Sequence, residues 1–342
     1  MAEVRIAQGQ DAVDFISNSW HPGGFDNKGR PTDDRGRLMV NERALRTNAF
    51  LSREEWERLD SAVIARGKQR LNAWADVIGA DLTRQSSVAA MYTKWRVASE
   101  RIAADVTMDF RTQLTQDRTD KKTYGAPIPI ISAMYTLGRR ELLSSRAAGQ
   151  DVETFEAEEA AAAVAERAED ILMNGETGVV VDGNSIPGYR TLAARDTGTA
   201  AAYGGGDFGT ISNIYPTFTG MLTNLANDRY YGPFRCYIHN TQYHQMLDVY
   251  SDGSGQTALQ RVLQLPQIQS IEANDLIGTA GDLVMAQMTR NVVDIELALS
   301  MENRRWETPD GSAMFFVVMM SAVPRLKTDY AGAAGIAHAT AC

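Results

Sequence analysis

Gly204-Gly205-Gly206-Asp207-Phe208-Gly209 has the spacing G-x-G-x-x-G, with which a turn brings backbone amides up to a pyrophosphate. That chemistry needs a hydrophobic strand just before the turn and a helix opening within it. Here RDTGTAAAY (Arg195 to Tyr203) precedes the glycines and the next helical pattern starts several residues late, so the stretch reads as a flexible loop. His239 and His244 are five residues apart, which does not put both on one helix face, and no acidic or cysteine ligand stands at a useful spacing for a metal. Cys236 lies inside the apolar run FRCYI and reads as a small core residue rather than a nucleophile. Arg304, Arg305 and Trp306 could grip nucleic acid, but a salt-bridged strand end accounts for them as well. The carboxylates Glu158, Glu159, Glu166, Glu169 and Asp170 are too many, too regular and too poorly accompanied by bases to form a general acid/base pair. The sequence holds no G-x-S-x-G elbow, no P-loop and no H-E-x-x-H. No catalytic, cofactor-binding or metal-binding residue is assigned, no cofactor is expected, and the expectation is a protein that is not an enzyme.

Those five carboxylates belong to the best-marked element of the chain. In DVETFEAEEAAAAVAERAEDILMNG, Ala157, Ala161, Val164, Ala168, Ile171 and Leu172 fall at i, i+4, i+7, i+11, i+14 and i+15, which lines one helix face. Asp151 can cap the first turn, Glu153 and Glu156 suit the positive end of the dipole, and Asn174-Gly175 supplies a stop. The spacing predicts a helix over 151–174, roughly 35 Å long at about 1.5 Å per residue. Glu158, Glu159, Glu166, Glu169 and Asp170 are expected on the face opposite the small-residue stripe, with Phe155 an unexplained apolar guest. Two uses fit this helix: a solvated face over a sheet, or a spine whose acidic side lines a surface where negative charge is wanted.

The 342 residues are enough for two or three domains, or for one domain with large excursions. A hydrophobic content of 44% with 23% charged residues is ordinary for a globular protein. The net charge of −9 argues against coating nucleic acid, which needs a basic footprint, but not against a container that must not stick to its contents. Cys236 and Cys342 imply neither a disulfide framework nor a zinc site. The start MAEVRIAQGQDAV lacks an apolar signal core, and the longest apolar run, Ala313 to Val323, is too short to span a bilayer, so a soluble protein without a membrane segment is expected.

In chain order, residues 1 to about 46 carry no period and are expected to form an extended arm. Ser52-Arg53-Glu54-Glu55 is a capping box opening a helix to about Trp74, with Gly79 beyond it. Residues 91–131 predict a two-stranded ribbon: Val106, Met108 and Phe110 alternate on one limb, Asp117, Arg118, Asp120, Lys121 and Lys122 form a hydrophilic tip, and TYGAPIPII returns with edge prolines. LGRRELLSS predicts a short helix before the spine, and VVVDGNSIPGYRTL a strand, turn and strand after it. From Ile214 an α/β pattern follows: helices over 216–226, 241–250 and 257–265, and strands over 234–238 and 282–288. VVDIELAL and MFFVVMM predict a strong hairpin with Asp310-Gly311 at its turn, and the Ala/Gly-rich tail from Ala331 is expected to fray.

This succession resembles the tailed-phage major capsid protein, the Hong Kong 97-type capsid fold, over roughly Asn48 to Ala334. NAFLSREEWERLDSAVIARGKQRL resembles the N-terminal helix segment of such capsid proteins and of encapsulin shells. AEDILMNG followed by IPGY resembles the end of the spine helix and its turn, and FFVVMMSAVPRLKTDYAG the C-terminal strand with its proline. The resemblance implies an α+β fold. Residues 1–75 would be the N-terminal arm and capped helix, and 91–135 the E-loop. Residues 136–190 and 286–325 would be the peripheral domain, 191–285 the axial domain and 326–342 a C-terminal tail. It further implies an icosahedral shell of pentamers and hexamers around double-stranded DNA, in a virion assembled in the host cytoplasm. A separate scaffolding or decoration protein and a portal are implied partners, because this N-terminus is too short for a long scaffolding segment of its own. The acidic face of the spine would look into the lumen and Asp117, Arg118, Asp120, Lys121 and Lys122 would touch neighbours. The E-loop lysine cross-link of some members has no matching asparagine and glutamate here. An encapsulin enclosing an enzyme cargo is the alternative, favoured by an apolar docking groove where the phage reading is favoured by the long polar arm. A soluble α/β enzyme would need a convergent polar pocket.

Overall fold

The computed structural model describes the backbone of short strands between residues 4 and 41, and residues 72–99, 108, 119–138, 140, 155–250, 255–278, 281–307 and 313–342. The chain divides into one unit of Met1–Ala62, Tyr135–Glu156 and Arg305–Phe316, and another of Val63–Met134, Ala157–Arg304 and Val317–Cys342.

The first unit holds β1 (Val4–Ala7), β2 (Gly24–Phe25), β3 (Pro31–Thr32) and β4 (Leu38–Asn41), ordered β1-β4-β3-β2. β1 and β4 run parallel, Val4 opposite Leu38. The arm expected to lack structure therefore carries short strands. Val4/Ile6 and Leu38/Val40 are its two local alternations. The capping box at Ser52, the helix of LGRRELLSS beyond Gly138 and the Asp310-Gly311 turn lie outside the described residues.

The second unit opens with α1 (Asn72–Gly79), which buries Ala73, Trp74 and Val77 and so runs through Gly79, not only to Trp74. β5 (Thr83–Gln85) follows, then the ribbon of β6 (Tyr92–Ala98) and β7 (Lys121–Pro127), then β8 (Ile130–Gly138). The spine, α2 (Phe155–Asn174), buries all six residues of the predicted stripe and also Ala160, Ala162, Ala165 and Met173. Asp151 and Glu153 lie outside the described residues. Gly175, at φ +76, ends the helix. The amides of Tyr189 and Arg190 then return to the carbonyls of Leu172 and Met173, each at 2.9 Å, which satisfies the last turn. Between them stands the hairpin β9 (Glu176–Val181) and β10 (Asn184–Ile186).

Next come β11 (Asp196–Thr199), α3 (Ile214–Asn227), β12 (Phe234–Ile238), α4 (Asn240–Gln245), α5 (Ala258–Leu263), β13 (Ile268–Ala273) and β14 (Leu283–Gln287). The long strands β15 (Val293–Glu307) and β16 (Ala313–Leu326) and the last strand, β17 (Ile336–Thr340), complete the chain. A five-stranded sheet has the order β11-β17-β14-β12-β13, and a four-stranded sheet the order β5-β15-β16-β8. Phe234, Cys236 and Ile238 alternate toward one face of the five-stranded sheet, joined by Leu283, Met285, Ala337 and Ala339. α3 covers that face with Ile214, Phe218, Met221 and Leu225. Val284, Ala286 and Tyr237 on the other face are buried too, so the sheet is covered on both sides. The tail expected to fray is corrected: β17 lies inside this sheet, parallel to β11 and antiparallel to β14. β11 likewise falls where a loop was expected. Its ladder partner is β17.

Candidate functional site

The spine does not present one continuous acidic face. Glu159 is exposed, and Glu158 and Glu166 are half-buried. Asp170 pairs with Arg167 and accepts from Asn174 Nδ2 at 2.7 Å, while Arg167 also holds Glu176 beyond the helix end. Glu169 is corrected: it is 3% exposed and faces the protein. Its carboxylate accepts from the backbone amides of Asn72 (3.1 Å) and Ala73 (3.2 Å), the first of α1, and from Asn274 Nδ2 at 2.5 Å. It therefore caps a second helix, supplying an acceptor to amides that have no intrahelical partner. Burial pushes the Glu169 carboxyl above the ordinary range, and the three hydrogen bonds offset that only in part. A cleft of about 350 Å³ beside it is lined by Asn72, Glu166, Glu169 and residues 273–276.

The ribbon is two-stranded, as its sequence predicts, but its limbs are Tyr92–Ala98 and Lys121–Pro127. The alternation expected at Val106, Met108 and Phe110 lies outside the described residues except for exposed Met108. Lys121 and Lys122 stand in β7 opposite Ala98 and Val97, the last pairs of the described ladder. Asp120 closes the ladder, its amide meeting Ser99 Oγ at 3.1 Å. Asp117 and Arg118 lie outside the described residues. The returning prolines sit where an edge tolerates them, Pro127 as the last residue of β7 and Pro129 before β8.

A buried ionic network seats the ribbon on the long strands. Arg325 of β16 grips Asp294 of β15 through two bonds, Nε to Oδ1 at 2.8 Å and Nη2 to Oδ2 at 2.6 Å. Its Nη1 reaches Glu296 Oε2 at 2.9 Å and Thr93 Oγ1 of β6 at 3.3 Å. Thr93 Oγ1 in turn donates to Glu296 Oε2 at 2.5 Å, and Lys327 Nζ reaches Asp294 Oδ2 at 2.7 Å. Two cations thus meet two carboxylates, with Trp95 of the ribbon over the guanidinium at 6.0 Å. Lys122 adds a second tie, lying over the Tyr330 ring at 4.1 Å and donating to its carbonyl at 3.0 Å. None of these partners has a signature in sequence: Thr93 and Arg325 are 232 positions apart.

The residues first weighed for catalysis are placed otherwise. The Gly204–Gly209 loop packs against the start of α3, where a Cβ on Gly205 would lie 2.0 Å from Thr217 Oγ1. His239 caps α4, its Nδ1 accepting from the Thr241 amide, and the His244 ring meets the edge of Tyr243. Cys236 is fully buried, and burial pushes its thiol far up. Arg304 pairs with Glu302 on its own strand. Among the described residues no three His, Cys, Asp or Glu side chains form a metal-holding group. Among them, too, no helix is long and apolar enough to cross a membrane.

The sequence profile of a family of unknown function, DUF6260, matches residues 44–339. The chain belongs to DUF6260. No curated protein matches it in sequence. In structure this DUF6260 chain is similar to the capsid of Myoviridae phage XM1, with TM-score 0.58 and 12% identity, covering 78% of this chain and 91% of that one. It is also similar to a virus-like particle from Pyrococcus furiosus, with TM-score 0.55 and 13% identity, covering 83% and 98%. The capsid of an empty GTA particle matches with TM-score 0.54 and 14% identity over 76% and 88%. The DUF6260 chain therefore has the α+β tailed-phage capsid fold that its order of parts resembles.

Proposed function

We propose that this chain is the subunit of a self-assembling shell, the major capsid protein of a tailed phage or prophage that encloses double-stranded DNA. The observation that carries this is the apolar surface around the base of the ribbon. Met91 and Ile130 flank its strands, Val88 precedes it, and Val179, Val180 and Val181 follow one another on β9, which packs beside β7. All are exposed in the single chain. Consecutive exposed valines on a two-stranded sheet are a hazard for a monomer and gain burial against another copy. The likeness to assembled particles supports the same reading. Asp120, Lys121 and Lys122 then lie on the ribbon that reaches toward neighbours, and Asp117 and Arg118 are proposed as further contacts with them.

The lumen assignment now rests on Glu158, Glu159 and Glu166, with Asp170 partly neutralised and Glu169 withdrawn. With a net charge of −9, a wall carrying these groups repels packaged DNA. Portal and scaffolding or decoration proteins would be separate chains, and the site of assembly the host cytoplasm. The likeness to the Pyrococcus furiosus particle keeps an encapsulin with a protein cargo as the second reading.

Expression alone and with its genomic neighbours, followed by electron microscopy, tests this. Shells on tailed virions support the phage reading, shells filled with protein support the encapsulin, and monomers under all conditions refute both. Replacing Glu158, Glu159 and Glu166 by lysine is expected to leave shells intact and make them retain nucleic acid, read by absorbance ratio after nuclease treatment. Shells as free of nucleic acid as the parent refute the inward assignment.

A further inference from the structure

At the end of the spine a buried cluster joins four segments of the chain. Asn174 comes from α2, Arg190 and Arg195 from the connection after β10, Asp282 from the turn into β14 and His338 from β17. Asp282 is 5% and His338 4% exposed. Arg190 pairs with Asp282 through Nη2 and donates from Nη1 to Asn174 Oδ1 at 2.6 Å. The guanidinium fits only because residue 278 is glycine: a Cβ there would lie 2.2 Å from Arg190 Nη1. Arg195 Nε donates to His338 Nδ1 at 3.3 Å and its Nη1 to the Leu192 carbonyl at 2.8 Å. Accepting at Nδ1 puts the proton of neutral His338 on Nε2. Nε2 stands 3.6 Å from Asp282 Oδ2, too far for a hydrogen bond, and has no other partner among the described residues.

The charge balance around His338 is one-sided. One carboxylate, Asp282, faces two guanidiniums, so a neutral imidazole leaves the cluster at one positive charge and an imidazolium would raise it to two. The ladder neighbours of His338, Thr197 on β11 and Val284 on β14, bring no charge. Asp196 and Tyr203 act on Arg195 or each other, and the Cys342 thiol lies near Asp282 and Asp207. Protonation at Nδ1 would also set an N–H against the N–H of Arg195.

We propose that this cluster is an acid-sensitive joint: protonation of His338 breaks the Arg195 bond and loosens β17 and the 187–195 connection from the end of the spine. The joint lies within one chain and does not rest on the shell reading. Burial, then the two arginines, hold His338 below the ordinary histidine range, and Asp282 opposes them without prevailing. A histidine depressed in the folded state contributes stability that is intact above the unfolded value of about 6.5 and is lost as pH falls below it.

Hydrogen exchange of the full chain, corrected for intrinsic rates, tests the joint. Between pH 7.5 and 5, amides of residues 187–195 and 336–340 are expected to lose protection by up to about tenfold for each pH unit of depression of His338. His338→Asn keeps an acceptor for Arg195 and cannot titrate, so its protection in these segments is expected to be flat across the window. If His338→Asn fails to fold, His338→Gln serves: it likewise cannot titrate, and its protection there is expected to be equally flat. An acid-dependent loss of wild-type size in either variant overturns the joint, as does a wild type without the loss.

Discussion

Replacing Arg325 by methionine removes a guanidinium while keeping much of the side-chain volume. Four contacts go: the paired bonds to Asp294 and single ones to Glu296 and Thr93. Left behind are carboxylates whose side chains are only 9% and 7% exposed, two positions apart on β15 and therefore on the same face of the sheet. Lys327, at 2.7 Å from Asp294, still opposes one of them, and among the described residues Glu296 keeps the Thr93 hydroxyl. An unpaired buried charge costs about 3–5 kcal/mol, and the remaining lysine puts the expected loss near the lower end, about 3 kcal/mol. That is a large share of the 5–15 kcal/mol or so that holds a typical domain folded. Urea unfolding at pH 7.5, in a fixed state of assembly, reads it. Adding Asp294→Asn and Glu296→Gln to Arg325→Met removes the stranded charges and is expected to recover at least half of the loss, to within about 1–2 kcal/mol of the parent. A single-variant loss under about 1 kcal/mol refutes the reasoning, and so does a triple variant no more stable than the single, since the damage would then be packing rather than charge.

Three further outcomes test the C-terminal end of the spine. Gly188→Ala puts a Cβ 2.3 Å from the Gly175 amide nitrogen and 2.6 Å from the Asn174 carbonyl carbon, both backbone, so a thermal melt should show a loss of about 3 kcal/mol or more; Gly183→Ala, at φ +76 in open space, should lose only about 1–2. Glu169→Ala strands two helix-start amides and the Asn274 amide and should cost about 2–4 kcal/mol by urea unfolding at pH 7.5. Because burial raises the Glu169 carboxyl in the folded state, the parent should gain stability relative to Glu169→Gln as pH falls through that raised value toward 4.5, the opposite slope to that at His338.

The elements legible in the sequence are those whose period comes from one-sided burial. The Ala157-to-Leu172 stripe, the strand Phe234–Ile238 and the two long strands follow from alternation or helical spacing alone, and the helix expected over 257–265 is α5. β17 was illegible because Ile336-Ala337-His338-Ala339-Thr340 has little strand propensity; it is a strand because β11 and β14 supply ladders on both sides. Lys121 and Lys122 look like loop residues by charge, and only the pairing of Trp95 with Tyr124 and its neighbours fixes them in a strand. Glu169 is the sharpest case. It stands eleven residues after Glu158, about three turns, so the two share a helix face. One is half exposed and the other buried because α1 starts over the second alone, and no local pattern announces where a distant helix begins.

That difference divides the spine into two parts with separable roles. Its C-terminal end is held by three devices: Glu169 on α1, Arg190 on Asn174 and Asp282, and the backbone contact of Gly175 with Gly188. Charge there is structural, already matched by donors, and adds little to any field beyond the protein. Glu158 and Glu159 lie before these anchors and Glu166 lines the cleft beside Glu169, and none of the three is buried as Glu169 is. Glu169→Lys would instead bury an ammonium against two helix-start amides, at the positive end of α1. A charge-reversal series that includes Glu169 therefore destabilises the chain and reports on α1, whereas the series of Glu158, Glu159 and Glu166 reports on what the spine faces. Circular dichroism melts of the two series should separate them, with the Glu169→Lys chain lower than the three-lysine chain by several kcal/mol, about 3 or more; equal melts would mean that Glu169 is no anchor.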